Sequence, residues 1–529
     1  MTTKGAVACG HPETAAAAAE ILMDGGNAFD AVLAAFCAAT VTEPVLASLG
    51  GGGFLMAYPA DGKPRLYDFF VQTPKQGPRG TTGVGDIDFY PIVADFGTAT
   101  QEFHIGLGAM ATPGAIKGLF AVQRDLARLP IRRLIEPALC LARDGFQLRP
   151  VDGYLFQVVG PILVARDDSK AAYTRPDGSL LQGGDWARQA DLANTLDALA
   201  IEGEALFYHG DLAHSLVKAC REQGGLLSTE DLADYRVIRR APLDRRYHGA
   251  RILINPPPST GGILIAFALA LLNEVDLRSQ GFGSRDHLAH LVRVMDATNQ
   301  ARIETQLHEA VVQASHAEVA DRLLDPALLA AYADAIKGRP QSRRGTTHIS
   351  VIDADGNLAA LTTSNGEGCG YVLDGTGVML NNMLGEEDLN PVGFHTWPSN
   401  TRLSSMMAPS LAFLPDGTVA AMGSGGSNRI RTAILQVLLN LNDFAMPGND
   451  AVDAPRLHYE DGIANLEAGF DCAPDELAKH DGLADMIKET IAWPRHNLFF
   501  GGVHLVMRSG TGAWNAVGDP RRGGAASVV

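Results

Sequence analysis

Thr346, Thr347, Ser364 and Asn365 stand at the two ends of one short stretch, Gly345 to Asn365, and their hydroxyls and amide could serve acyl chemistry if the chain folds back on itself. The pattern predicts that it does. His348, Ser350 and Asp353 interleave with Ile349, Val351 and Ile352, Asp355-Gly356 supplies the residue types of a two-residue type I′ turn, and Leu358 to Ser364 reads as the return strand. With that turn, antiparallel pairing sets Thr347 opposite Ser364 and Thr346 opposite Asn365; a bulge would move the register by one residue. A threonine directly behind a glycine also suggests an N-terminal nucleophile. Cleavage between Gly345 and Thr346 would free an α-amine, whose pKa of about 7.7 to 8.0 suits it to take the proton from the residue's own hydroxyl. Taken by itself, the Thr-Thr pair equally fits the start of an ordinary strand, where threonine is common.

The elements that would have to position these groups come from a chain of 529 residues with 46% apolar content, enough for a large core. A net charge of -17 argues against nucleic-acid partners. The six cysteines, at 9, 37, 140, 220, 369 and 472, have no CxxC spacing, so the reading is reduced core thiols with neither disulfide framework nor zinc site. The histidines show no ligand spacing, and neither metal nor cofactor is expected. The first residues lack the basic and apolar segments of a secretory signal, and no apolar run reaches membrane-spanning length, which gives an expectation of a cytoplasmic protein with no membrane partner.

Residues 13 to 26 read as an alanine-rich helix ending at Gly25-Gly26, and Asn27 to Thr42 as a second, buried one with Asp30 near its start. Gly50 to Gly53 enters a strand; without a following Lys-Ser or Lys-Thr it signals close backbone packing rather than a phosphate loop. A strand ends at Asp68-Phe69-Phe70-Val71, a long Gly- and Pro-rich loop covers 72 to 105, and periodicity is mainly helical from Thr112 to residue 340, interrupted at 255 to 262. Arg339 to Arg344 reads as an exposed linker. Beyond it come short strands, a Gly/Ser turn at 423 to 427, a helix from Ile430 to Asn442 and strands near Phe499 to Met507.

In order along the chain, His11-Pro12, Gly25 to Ala31, Gly50 to Phe54, Pro113-Gly114, Pro257 to Gly262, Thr346-Thr347-His348, Leu380-Asn381-Asn382, Leu403 to Met406, Gly423 to Ile430, Ala454-Pro455-Arg456 and Asp519 to Arg522 resemble the γ-glutamyltransferase family of N-terminal-nucleophile hydrolases over nearly the full length. The resemblance implies an α/β (α+β) fold, the αββα four-layer sandwich. It implies a proenzyme that cuts itself before Thr346 into a large segment, 1–345, and a small one, 346–529, the two processed chains remaining together as a heterodimer. It implies an acyl-enzyme on Thr346, formed from a small-molecule amide and passed to water or an acceptor amine. By position, Ser364 is the hydroxyl that steadies the nucleophile, Ser404 and Ser405 are the pair that holds a substrate carboxylate, and the oxyanion donors are Gly426 and Ser427 or, in a shifted register, Gly425 and Gly426.

The chain departs from the family in its grip on the acyl group. Phe70 replaces an arginine that pairs the substrate α-carboxylate, Gly366 replaces an asparagine, Met383 a glutamine, and Glu386 only approximately matches an aspartate; Asn365, Glu367 or Glu387 could compensate, and Arg402 or Arg429 could grip a carboxylate instead. Loss of a charge-assisted contact removes about 1.5 to 3 kcal/mol of binding. The expected substrates are therefore amides with another acyl part, such as glutaryl or β-lactam side chains or oxamate. An ordinary glutathione hydrolase or transpeptidase and an uncleaved, non-catalytic homologue are the alternatives.

Overall fold

The computed structural model describes residues 3–76, 87–95, 100–304, 324, 345–390 and 393–529. Thr347–Asp353 and Leu358–Ser364 form a hairpin in the middle of a seven-stranded antiparallel sheet, flanked on one side by Gly5–Cys9 and Ala525–Val528 and on the other by Gly52–Tyr58, Arg65–Phe69 and Ile238–Arg240. A second antiparallel sheet runs in the order Trp514–Val517, Gly502–Arg508, Val419–Gly425, Ser410–Phe413, Ala250–Ile254, Leu243–Tyr247. The two sheets pack face to face. Helices Pro12–Met23 and Ala28–Thr42 cover the outer face of the first, and Thr260–Leu272 and Arg429–Asn442 that of the second, which makes the αββα layering.

Strand alternation decides which side chains meet the chemistry. Ile349 and Val351 join Val7, Cys9 and Leu361 in the core under the helices, whereas Ile352, Leu358 and Ala360 join Ala6 and Ala8 on the face toward the second sheet. Even-numbered positions of the 347–353 strand thus face the gap between the sheets. His348 lies there fully buried, its Nδ1 2.8 Å from the Thr362 hydroxyl and its Nε2 2.9 Å from that of Ser350. Ser350 donates to the His504 carbonyl at 3.1 Å, so it accepts from Nε2–H and the imidazole is neutral; burial also pushes its pKa well down.

The hairpin differs from the expected one by one residue. Thr347 pairs with Thr363 and Ile352 with Leu358, because the turn holds three residues, Ala354 to Gly356, with Gly356 at φ +92° and its N–H bonded to the Asp353 carbonyl. That is a type I turn closed by a left-handed glycine, the bulged alternative to the two-residue turn. Carried one step further, this register puts Thr346, not Thr347, across from Ser364. A second difference lies in the stretch read as helical, where 238–254 supplies three edge-region strands; their Arg- and Pro-interrupted sequence hides the alternation. Tyr90–Asp95 and Thr100–Ile105 pair within the segment read as a loop, and Gly423 to Gly425 finish a strand instead of beginning a turn. The Arg339 to Arg344 linker lies outside the described residues, as does the helical reading of 305–323 and 325–338. Five cysteines are buried and Cys140 is exposed.

The two N-terminal helices form as their caps dictate. Asn27 and Asp30 make a reciprocal capping box, with Asn27 N–H on Asp30 Oδ2 at 2.8 Å and Asp30 N–H on Asn27 Oδ1 at 2.9 Å. Ala28 N–H donates to Asp353 Oδ2 at 2.8 Å, tying this helix start to the hairpin turn. At the other end of the helix, Glu43 accepts a 2.8 Å bond from the Thr347 hydroxyl on the helix-side face of the strand. Its carboxylate occupies the space left by Gly10, where a Cβ would come within 2.2 Å of Glu43 Oε2. Burial pushes the Glu43 carboxyl up to about 7, partly offset by the Thr347 bond and by Arg149.

Two tests follow from this packing. A methyl at Gly423 would lie 2.4 Å from His348 Cε1; Gly423→Ala is expected to lower the unfolding free energy by about 1 to 3 kcal/mol in denaturant titration. For Glu43, the folded-state pKa is raised, so its neutral form stabilises the fold in acid and that contribution is lost as pH rises toward about 7. In a Thr346→Ala background, Glu43→Gln should match its parent near pH 4, below the unfolded carboxyl pKa, and exceed it in stability by about 2 to 3 kcal/mol at pH 8; parallel pH profiles for the two would refute the assignment.

Candidate active site

At the open end of the hairpin two hydroxyls converge on one carbonyl. Ser364 Oγ donates to the Gly345 oxygen at 2.6 Å and Thr346 Oγ1 donates to the same oxygen at 2.8 Å. The Gly345 N–H donates to Glu367 Oε1 at 2.9 Å, and Arg522 Nη1 donates to the Thr346 carbonyl at 3.3 Å. The Gly345-Thr346 peptide is therefore held on both sides, with the Thr346 and Ser364 hydroxyls both on its carbonyl oxygen. Space, more than backbone strain, requires glycine at 345: a Cβ would lie 2.6 Å from the Gly366 oxygen and 3.1 Å from the Val45 oxygen.

Thr346 and Ser364 line a cavity of about 290 Å³, open mouth included, together with Phe70, Met383, Glu386, Leu389, Ser405, Met406, Met407, Ser427 and Ile430. Among the described residues, none that lines the cavity is a cation. Of the residues singled out from the sequence, Phe70, Met383, Glu386, Ser405 and Ser427 are brought to this one place with the two hydroxyl residues. Ser404 is buried but does not line it. Asn365 is buried behind the strand end, its Nδ2 3.5 Å from the Leu380 oxygen. Gly366 has φ +64°, and a Cβ there would fall 2.1 Å from Asn382 Oδ1 and 2.3 Å from Glu386 Oε1, so Glu386 takes up the room a side chain at 366 would need. Glu387 is exposed and away from the lining.

Each wall is fixed by a distant segment. Asn381 accepts from the Ala111 and Met383 N–H groups and donates to the Gly50 and Ala111 oxygens, clamping the 381–383 turn to the glycine run. That run packs as tightly as expected, with a Cβ at Gly51 reaching 2.4 Å from the Ser364 oxygen. The Pro257 to Gly262 loop grips the serine segment: Ser259 Oγ donates to the Met407 oxygen at 2.7 Å, and the Thr260 N–H to the Ser405 oxygen at 2.8 Å.

Neither arginine offered as a replacement carboxylate ligand reaches the cavity. Arg402 is spent beneath Phe70, donating to the Phe70 oxygen, the Tyr235 hydroxyl and the Arg236 oxygen, with Asp68 3.5 Å away. Arg429 donates to the Phe499 oxygen at 3.1 Å and lies over the Phe499 ring. Phe70 itself stacks on Phe54 at 5.4 Å between ring centroids.

The glycine-rich turn borders the Thr346 carbonyl: a Cβ at Gly425 would sit 2.1 Å from its oxygen. Ser427 has φ +54°, an uncommon conformation for a residue with a side chain, and its hydroxyl donates to Asp388 at 3.2 Å. Among the described residues neither the Gly426 nor the Ser427 N–H donates to a backbone oxygen, and helix Arg429–Asn442 begins just beyond them.

Sequence reasoning overlooked Leu389, Met406, Met407 and Ile430 as cavity walls, and Arg522 as a contact of Thr346. The adjacency of Met406 to Ser405 and of Ile430 to the glycine turn was the available signal. Nothing in the order of residues points from 522 to 346.

The gamma-glutamyltranspeptidase family model matches residues 14–529. The chain is 31% identical to an acylase ACY 1 proenzyme of Pseudomonas sp. strain V22, with 98% of this chain and 93% of the relative covered. It is 29% identical to the glutathione hydrolase proenzyme of Escherichia coli K12, covering 95% and 88%. Its fold matches the crystal structure of cephalosporin acylase from Bacillus halodurans with a TM-score of 0.81 at 23% identity, covering 99% of this chain and 96% of that one. With a family model spanning nearly the whole chain and the αββα layers in place, the protein belongs to the gamma-glutamyltranspeptidase family.

Proposed function

We propose that the chain is a self-cleaving amidohydrolase or acyltransferase with Thr346 as its nucleophile and an acyl pocket that takes compact, uncharged acyl groups rather than γ-glutamyl. The observation that supports the specificity is the lining of the cavity at Thr346, where the described residues include Glu386 and no cation. A carboxylate on the acyl group would meet no counter-charge among them.

In maturation, Thr346 Oγ1 attacks the Gly345 carbonyl carbon, the peptide nitrogen becomes the α-amine, and water releases Gly345 from the ester. The two hydroxyls at 2.6 and 2.8 Å from the Gly345 oxygen support this reading. Afterwards the freed amine takes the proton from the Thr346 hydroxyl as it attacks the substrate carbonyl, and returns it to the leaving nitrogen. Of the two oxyanion registers, the Gly426 and Ser427 pair is favoured because, among the described residues, neither N–H is taken by a backbone oxygen. Glutaryl and oxamate-type acyl groups, expected from sequence, are the less suited of the candidates for this lining. An ordinary glutathione hydrolase, with its anionic acyl end, is disfavoured for the same reason.

Mass spectrometry of the purified chain should show the 56.0 kDa species giving way to a fragment that begins at Thr346, and Thr346→Ala should abolish both this and amide turnover. A Thr346→Ala chain that still splits at this bond would sink the assignment. Ser364→Ala is expected to slow cleavage by about 10- to 100-fold; unchanged kinetics would leave Ser364 without a role. In an amide panel with one leaving group, kcat/KM for γ-glutamyl should fall at least about 10-fold below that for acetyl or butyryl, and equal values would overturn the specificity reading.

A further inference from the structure

A second cavity, about 780 Å³ with its mouth, borders Gly345 and, among the described residues, shares no lining residue with the first. Its walls are mostly apolar and aromatic, including Leu46, Tyr154, Val158, Trp493 and Phe499, and its charged residues are Glu367, Arg429 and Arg522. Glu367 already accepts the Gly345 N–H, and Arg429 is bonded to the Phe499 oxygen.

Arg522 differs from these. Its one hydrogen bond among the described residues is the 3.3 Å contact with the Thr346 oxygen, its buried Nε meets no acceptor there, and no described carboxylate pairs with it directly, Asp519 and Glu43 acting on it only through their charge. Three glycines clear its path: a Cβ at Gly425, Gly426 or Gly502 would come within 3.1, 3.2 and 2.6 Å of its side-chain atoms. The chain thus brings a guanidinium to the backbone of Thr346 along a path where three glycines leave it room. Burial lowers its pKa to about 10, which leaves it charged at neutral pH. A planar fork held this way, with no described carboxylate bonded to it, is complementary to a carboxylate.

The position says which half of a substrate would bring that carboxylate. Gly345 is bonded to the nitrogen of Thr346, so once it departs, the vacated space is what the new α-amine faces. A leaving nitrogen must lie there to receive its proton. The acyl–nitrogen bond breaks as the acyl–oxygen bond to Thr346 forms, and the hydroxyl proton passes by way of the amine to the departing nitrogen. Resting on the reading of Thr346 as nucleophile, we propose that the cavity beside Gly345 receives the amine half of the substrate and that Arg522 binds a carboxylate on it. The substrate class is then an N-acyl amino acid with an apolar or aromatic side chain: neutral at the acyl end, anionic at the amine end.

The test uses the self-cleaved enzyme and two substrates with one acyl group, N-acetylphenylalanine and its carboxamide. Wild type should favour the carboxylate by at least about 10-fold in kcat/KM, chiefly through KM. Arg522→Gln should bring this ratio toward one, whatever happens to the absolute rates, and Arg522→Lys should restore part of it. Should the variants fail to mature, wild-type product inhibition gives the same answer: phenylalanine should inhibit at least about 10-fold more tightly than phenylalaninamide. A ratio near one in wild type, or one unchanged by Arg522→Gln, overturns the proposal while leaving the nucleophile in place. A chain that never frees Thr346 and turns over no amide overturns the underlying reading instead.

Discussion

The carbonyl of Gly345 carries hydrogen bonds from two hydroxyls, and most of the molecule can be understood as what is needed to keep them there. Thr346 must be on the inter-sheet face and at the strand end, and Ser364 must be across from it on that same face. Both conditions are set by register. A one-residue slip would turn Thr346 toward the helices and put Thr347 in its place. The three-residue turn at Ala354 to Gly356 fixes that register from one end, and the Thr347 bond to Glu43 fixes it from the other.

Close backbone approach is the second constraint. Gly51 and Gly53 lie against the return strand, Gly423 against His348, Gly425 against Thr346, and Gly345 against the Gly366 oxygen. At these places a β-carbon would push apart the very segments that meet at the cavity. The tight packing leaves little freedom for the walls, so their chemistry follows from which side chains remain: Phe70, Met383, Leu389 and the methionines at 406 and 407, with Glu386 as the ionisable group. Arg402 is bound beneath Phe70, and Arg522 stands beside Gly345 in the neighbouring cavity.

Buried ionisable groups divide into two kinds. His348 and His504 are driven neutral by burial and serve the packing between sheets as hydrogen-bonding spacers. Arg456, Asp519, Arg521 and Glu467 instead pair with one another, with Arg521 Nε 2.9 Å and Arg456 Nη2 2.6 Å from their carboxylate partners. This cluster secures the C-terminal segment that carries Arg522 to the site, a contact made possible because its two neighbouring charges are already neutralised.

Local chemistry was legible in the chain itself. The hairpin, the return strand at its observed bounds, the capped helix after Asn27, the glycine run and the threonine behind Gly345 all rest on interactions within a few residues, where propensity, turn type and alternation act directly. The identity of residue 70 was likewise readable directly: a phenylalanine there offers no fork of donors wherever it lies. What only the tertiary structure decided is what depends on contacts far apart in the chain. It chose the bulged register over the regular one, removed Arg402 from contention by burying it against Asp68, and brought residue 522 to residue 346. These outcomes are set by packing and by competition among distant partners for the same donors, and no local pattern of residues records which partner wins.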